Sequence, residues 1–233
     1  MIANKLFCIG LFNLLSCFPS GSQSGTVSPN NPNIPTFCIE KVSKEVFVSA
    51  KKIYVEKLLK DTSSHKKQNG QFKLTLTSSA GAYKTFQDSI AGAEDENRKE
   101  FRYLGQFKEI DFYIVSVTYW EHSEILLIDK MSGNNYSTWS VPGLSPDNKR
   151  MAAILPFGLE GEPIGIQILS INRANLTQIE KLIEIDQKLW EPKDFVWENN
   201  HSILLKVTEL IKPFKGNENK RDNVFSYLRL RIN

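Results

Sequence analysis

The chain has 233 residues, a formal charge of +3 from 29 basic and 26 acidic side chains, and 41 % hydrophobic content. So even a balance excludes charge-driven nucleic-acid binding, which draws on clustered basic surface. The length allows a single domain with a substantial core.

At the N-terminus one lysine, Lys5, precedes a nearly unbroken apolar run from Leu6 to Leu15. That run is too short to cross a bilayer, which takes roughly 20 helical residues. It fits the apolar centre of a secretory signal instead. Leu14-Leu15-Ser16-Cys17 resembles the lipobox of bacterial lipoproteins, with a leucine three before the cysteine and a small residue just before it. Leu15 departs from that pattern, since a smaller residue is commoner there. The resemblance implies cleavage before Cys17, lipidation of Cys17 and attachment to a membrane in the cell envelope, on the periplasmic or outer surface. Plain secretion after cleavage behind Ser22, or an uncleaved anchor, stands as the alternative.

Residues 18–36 carry no charge and are rich in Ser, Gly, Pro and Asn. Such a segment buries too little apolar surface to offset its ordering entropy and reads as a mobile leash. The expected organisation is a signal peptide over 1–16, a linker over 17–37 and one domain over 38–233. Of the three cysteines, Cys8 and Cys17 belong to the leader and its cut site, so Cys38 has no intrachain disulfide partner unless the signal is retained. It is expected to be a small buried apolar residue.

Residues 41–60 hold two signals. Val42, Val46, Ala50, Ile53, Tyr54 and Leu58 lie at helical spacing, while Val46-Phe47-Val48 and Ile53-Tyr54-Val55 are rich in strand formers. The helix is the weakly preferred reading. From Lys41 to Lys67 eight lysines face Glu45, Glu56 and Asp61, an excess read as a solvated face in preference to a membrane-contacting one.

From Gly70 onward apolar and polar residues alternate in short runs separated by turn residues. Phe72-Leu74-Leu76 and Tyr83 to Phe86 form a predicted hairpin. Further strands are predicted from Phe101, over 111–119 and 124–129, over 135–140, and at 151–154, 164–171, 176–185, 190–197, 203–207 and 225–232. Strands about ten residues apart, without alternating helices, indicate an antiparallel all-β fold. A weak repeat relates the segment from Val141-Pro142 to the one containing Pro192, and a period of about 40–50 residues is that of a four-stranded propeller blade.

Leu144-Ser145-Pro146-Asp147-Asn148-Lys149-Arg150, preceded by Leu127-Ile128-Asp129 and Ser132-Gly133, resembles the strand-turn-strand signature of WD40-like, TolB-type bacterial β-propellers and of uncharacterised exported proteins of Bacteroidetes-type bacteria. The resemblance covers roughly residues 70–210 and departs at Asn148, where the motif has glycine. The resemblance and the repeat together imply a small or partial propeller-like domain, too short for a closed ring of six to eight blades.

Catalytic signatures are sparse. Trp120-Glu121-His122-Ser123-Glu124 places an imidazole between two carboxylates, but as a strand it would turn Glu121 and His122 to opposite faces, and a polar turn is the expected role. Glu94-Asp95-Glu96 lacks the spacing of a calcium loop, and Gly158-Leu159-Glu160-Gly161 lacks the lysine and helix of a phosphate loop. The tryptophans at 120, 139, 190 and 197 are either a sugar- or peptide-binding surface or core anchors, with core the preferred reading. The expectation is a non-enzymatic binding scaffold with no catalytic, cofactor or metal residues, whose partner is a protein, peptide or glycan and not nucleic acid. The competing expectation is an exported hydrolase in which the fold brings carboxylates such as Glu121 and Asp129 together.

Overall fold

The computed structural model describes residues 36–89, 98–156, 163–173, 178–210 and 225–233. Cys17, the acidic trio 94–96 and the glycine pair at 158 and 161 lie outside them. The described residues open with β1 (Phe37–Val42) and α1 (Lys44–Ile53), followed by β2 (Gln71–Thr75) and β3 (Tyr83–Gln87). Next come β4 (Glu100–Phe107), β5 (Phe112–Thr118), β6 (Ser123–Asp129) and β7 (Asn135–Thr138). A third run holds β8 (Gly143–Leu144), β9 (Arg150–Leu155), β10 (Gly165–Asn172) and β11 (Gln178–Asp186). The last strands are β12 (Trp190–Asn199), β13 (Ser202–Glu209) and β14 (Phe225–Ile232). With 58 % strand and 8 % helix, all strand pairs antiparallel, the fold is all-β.

Pairing follows chain order with one exception. Sheet I is β4-β5-β6-β7, sheet II is β8-β9-β10-β11, and β2-β3 is a separate hairpin. Sheet III is β12-β13-β14 completed by β1, the first described strand, from Phe37 opposite Ile232 to Val42 opposite Tyr227. Just before Phe37, Thr36 accepts a backbone hydrogen bond from Asn233 at 2.9 Å. Arg229 of β14 locks β1 in place, its guanidinium donating to both Glu198 oxygens at 2.6 and 2.7 Å and to Glu40 of β1 at 2.6 Å. Cys38 sits in β1 opposite Arg231, half-buried rather than interior.

Period-two alternation explains how the layers stack. On β5, Tyr113 and Val115 face one way and pack with Phe72, Leu74 and Phe86 of the β2-β3 hairpin. Phe112 and Ile114 face the other way and meet Leu144, Met151, Leu169 and Ile171 of sheet II. Ile166 and Ile168 on the opposite face of sheet II pack with Trp197, Ile203 and Leu205 of sheet III. Val196 and Leu204 then carry α1 through Phe47. The order is hairpin, sheet I, sheet II, sheet III, helix, and strands buried on both faces are why 111–119 and 203–205 read as continuous apolar runs. Among the described residues no sheet closes on itself into a barrel.

The helical reading of 41–60 holds for Lys44–Ile53 and fails on either side. Phe47 is buried and Val46, Ala50 and Tyr54 join it on sheet III, whereas Val42 belongs to β1 and Ile53 is 80 % exposed. Glu45 in the first turn and Lys51 and Lys52 in the last suit the helix dipole.

Residues 54–61 then run as an extended strap over the first strands of sheets II and I. Tyr54 donates its hydroxyl to the Leu144 carbonyl at 3.0 Å. Lys57 Nζ donates to the carbonyls of Ser145 and Pro146 and to Asn148 Oδ1 at 2.5–2.9 Å. Leu59 exchanges both backbone hydrogen bonds with Gln106 of β4. Asp61 ends the strap, accepting from Tyr103 Oη at 2.7 Å and from Gln106 Nε2.

Candidate functional site

An open cleft of about 550 Å³ lies where the β5-β6 turn and the end of β7 approach the end of β9. Thr118 pairs with Ser123, and Tyr119 N donates to His122 O at 2.8 Å, so the hairpin corner is Trp120-Glu121. This is a tight turn rather than a strand, as the polar-turn reading expects. Tyr119 and His122 stack with ring centroids 4.4 Å apart and an interplanar angle of 16°. His122 Nε2 is 3.7 Å from Glu124 Oε1. Burial first, and the Glu124 charge second, push the Tyr119 hydroxyl pKa up, so it stays protonated across the physiological range.

Trp139, just past β7, forms another wall, and Leu155 at the end of β9 and Pro163, two residues before β10, supply apolar surface. Trp120 is 46 % exposed at the mouth. The lining is thus aromatic and apolar with a few hydroxyls and two carboxylates, Glu121 and Glu124. Such a cleft recognises a ligand by ring contact and orients it with a small number of polar groups.

The four tryptophans divide evenly. Trp197 is 2 % exposed in the core between sheets II and III, and Trp190 packs against the same core. Trp120 and Trp139 line the cleft. Nothing in the local sequence separates the pairs, since each pair contains one tryptophan at a strand end or corner. Tyr119, Leu155 and Pro163 are absent from any sequence motif, because they meet only when sheet I stacks on sheet II.

The carboxylates of the hydrolase expectation are not brought together. Glu121 is at the corner before β6 and Asp129 is its last residue, a separation of roughly 20 Å along a strand. Asp129 is buried and its Oδ1 accepts from Met131 N, Ser132 N and Ser132 Oγ, which ties the β6-β7 turn. A glycosidase pair needs carboxyls within about 10 Å. Among the described residues no group of three or more His, Cys, Asp or Glu is arranged to hold a metal ion.

The second motif turn is likewise structural. Ser145 Oγ donates to Asp147 Oδ1 at 2.7 Å, Lys149 N donates to the same oxygen at 3.1 Å, and Arg150 N donates to Ser145 Oγ at 3.0 Å. Asn148 takes φ +61°, the left-handed conformation for which the motif has glycine, and its carboxamide is held by Lys57. Asn200 of the next hairpin accepts from Asp147 N, and its carbonyl accepts from Arg150 Nη1.

A third constellation sits under the strap. Asp61 is bonded to Tyr103 and Gln106, Lys130 Nζ donates to Gln106 Oε1 at 2.6 Å and lies 4.8 Å over the Tyr113 ring, and His65 packs edge-on against Tyr103. These groups satisfy one another, and they join the strap to sheet I. Burial pushes the Asp61 carboxyl pKa up, but hydrogen bonds from Tyr103 and Gln106 outweigh it and hold the carboxyl below its ordinary value. Asp147 is also held low, its burial outweighed by Ser145 and the Lys149 backbone. A depressed folded-state pKa adds stability that is present above the unfolded value, about 4, and is lost as pH falls through the folded value. Urea unfolding between pH 7 and pH 2 is therefore expected to show stability falling below about pH 4. Asp61→Asn is expected to flatten that fall, and an unchanged slope in the variant would remove Asp61 from this role.

No significant match is found among protein-family models, curated proteins or solved structures.

Proposed function

We propose that the protein is an exported, lipid-anchored, non-enzymatic binding protein whose β domain offers the cleft between sheets I and II to a peptide or glycan. The observation that carries the binding reading is the half-exposed Trp120 facing the same cleft as Trp139. Exposed tryptophan costs hydration free energy in the free protein, and a ligand that covers it recovers that cost. The anchoring reading is supported by the apolar run before Ser16-Cys17 and by the uncharged segment that leads into β1.

The sheet plan also supports a partial propeller. Three four-stranded meanders begin at Glu100, Gly143 and Trp190, and the last is completed by the chain's own N-terminal strand. In this reading the strap occupies the side on which the first strands of the blades converge. The hairpin at one end and α1 at the other cover the outer faces that a ring would otherwise bury.

Two measurements test the proposal. Mass spectrometry of the mature product is expected to find an acyl mass on Cys17 in the envelope fraction. An intact Met1 on a cytosolic product overturns the export reading. Titration with a panel of peptides and oligosaccharides is expected to change tryptophan fluorescence, with the change at least halved in Trp139→Ala. A panel that leaves the fluorescence unaltered overturns the assignment of the cleft.

A further inference from the structure

The charge of the cleft narrows its ligand. Of the described residues that line it, Glu121 and Glu124 are anionic and none is lysine or arginine. Three aromatic side chains, Trp120, Trp139 and Tyr119, line it, and aromatic rings attract cations, tryptophan most strongly. The chain itself makes such a contact at one of these rings, with Lys99 Nζ 5.6 Å over Tyr119. A neutral ligand would draw on the rings alone and bring no counter-charge to the two carboxylates beside it. An anionic ligand would meet like charge.

We propose that the cleft binds an organic cation, an ammonium group carried on a short aliphatic chain, with Trp120 and Trp139 forming the ring walls and Glu124 and Glu121 supplying the counter-charge. This inference rests on the reading of the cleft as a ligand site and adds the ligand's charge to it. Glu124 is positioned by the fold, since it follows the first residue of β6 and its neighbour His122 is clamped against the Tyr119 ring. Glu121 lies exposed at the hairpin corner. The cation can come from a small molecule or from a lysine side chain of a peptide, and both carry the same group.

The test compares three probes on the full chain by tryptophan fluorescence and by isothermal titration. They are choline, Nα-acetyl-lysine methylamide, and 3,3-dimethylbutan-1-ol, in which an uncharged carbon replaces the choline nitrogen. At least one cationic probe is expected to bind tenfold or more tightly than the uncharged alcohol, and that preference should weaken in 1 M salt. Tighter binding of choline identifies a small cation as the source, and tighter binding of the lysine derivative identifies a peptide. Trp120→Ala and Trp139→Ala are each expected to lower the cation affinity about tenfold. Glu124→Gln should lower it about fivefold while leaving the alcohol unaffected, with near-ultraviolet circular dichroism checking that each variant is folded. Equal binding of cation and alcohol overturns the cation assignment and leaves the cleft as a binding site. No binding of any probe also overturns it, and the peptide and oligosaccharide panel then decides separately whether the cleft binds at all.

Discussion

Trp197→Ala is expected to lower the unfolding free energy by about 4 kcal/mol, the middle of the range for removing a large buried aromatic side chain. Trp197 is 2 % exposed and touches the inner faces of sheets II and III, so its removal leaves a void between two layers that cannot collapse without moving both. Its indole Nε1 also donates to the Gly143 carbonyl at 2.9 Å, the start of β8. Alanine leaves that carbonyl without its indole partner, which adds roughly 1 kcal/mol. Because β8 has two residues only, Gly143 and Leu144, the indole is a principal tie between the edge of sheet II and sheet III. Trp197→Phe keeps most of the ring volume and is expected to cost about 2 kcal/mol. Denaturant unfolding measures both values, and the alanine variant should melt roughly 10 °C below the parent for a domain of this size. A loss under 1 kcal/mol for alanine would mean that sheets II and III do not share this core.

Gly105→Ala should be nearly as damaging, by a different route. Gly105 adopts φ +144°, and a Cβ built there lies 2.4 Å from the Leu59 carbonyl oxygen and 3.2 Å from a Leu58 methyl. The clash is with backbone, so no side-chain rotation relieves it. The pairing of β4 with β5 skips a residue between Tyr103 and Gly105, and this bulge lets the strap lie close enough for Leu59 and Gln106 to exchange hydrogen bonds. Left-handed strain and overpacking together are expected to cost about 3 kcal/mol. Hydrogen exchange separates this from general destabilisation. The Leu59 and Gln106 amides should lose protection before the centre of β5 does, because the strap detaches locally. Equal loss at all sites, or a stability change under 0.5 kcal/mol, would sink the claim that the strap is seated on a bulge.

Most individual strands were legible in the chain. Alternation at Phe72-Leu74 and the dense run at 111–119 mark β2 and β5 because burial of one or both faces forces those patterns. The motif turns were equally local, since Asp129, Ser145 and Asp147 bond backbone groups within five residues of themselves. The strand β1 escaped notice. Residues 37–42 are too few for a periodic signal, and their partner β14 lies almost 200 residues away, so no neighbouring pattern announces the pairing. The second strand-rich trio, Ile53-Tyr54-Val55, also misleads locally, because only Tyr54 finds a core to enter while Ile53 and Val55 remain exposed.

The cleft shows the same division. Trp120-Glu121-His122 stood out in sequence as an unusual cluster, and hairpin geometry alone puts it at a corner. Its chemistry was decided elsewhere. Trp139 comes to it from just past β7, and Leu155 and Pro163 from the end of β9 and the approach to β10, while Asp129 is carried away to the far end of β6.

By itself the order of residues determines the β-rich class and the turns, because each of these depends on neighbours within a few positions. The tertiary structure alone decides which strand completes sheet III, which tryptophans stay wet and which carboxylates share a cleft. Those outcomes depend on how whole sheets stack, and stacking is set by summed contacts between side chains distant in the chain.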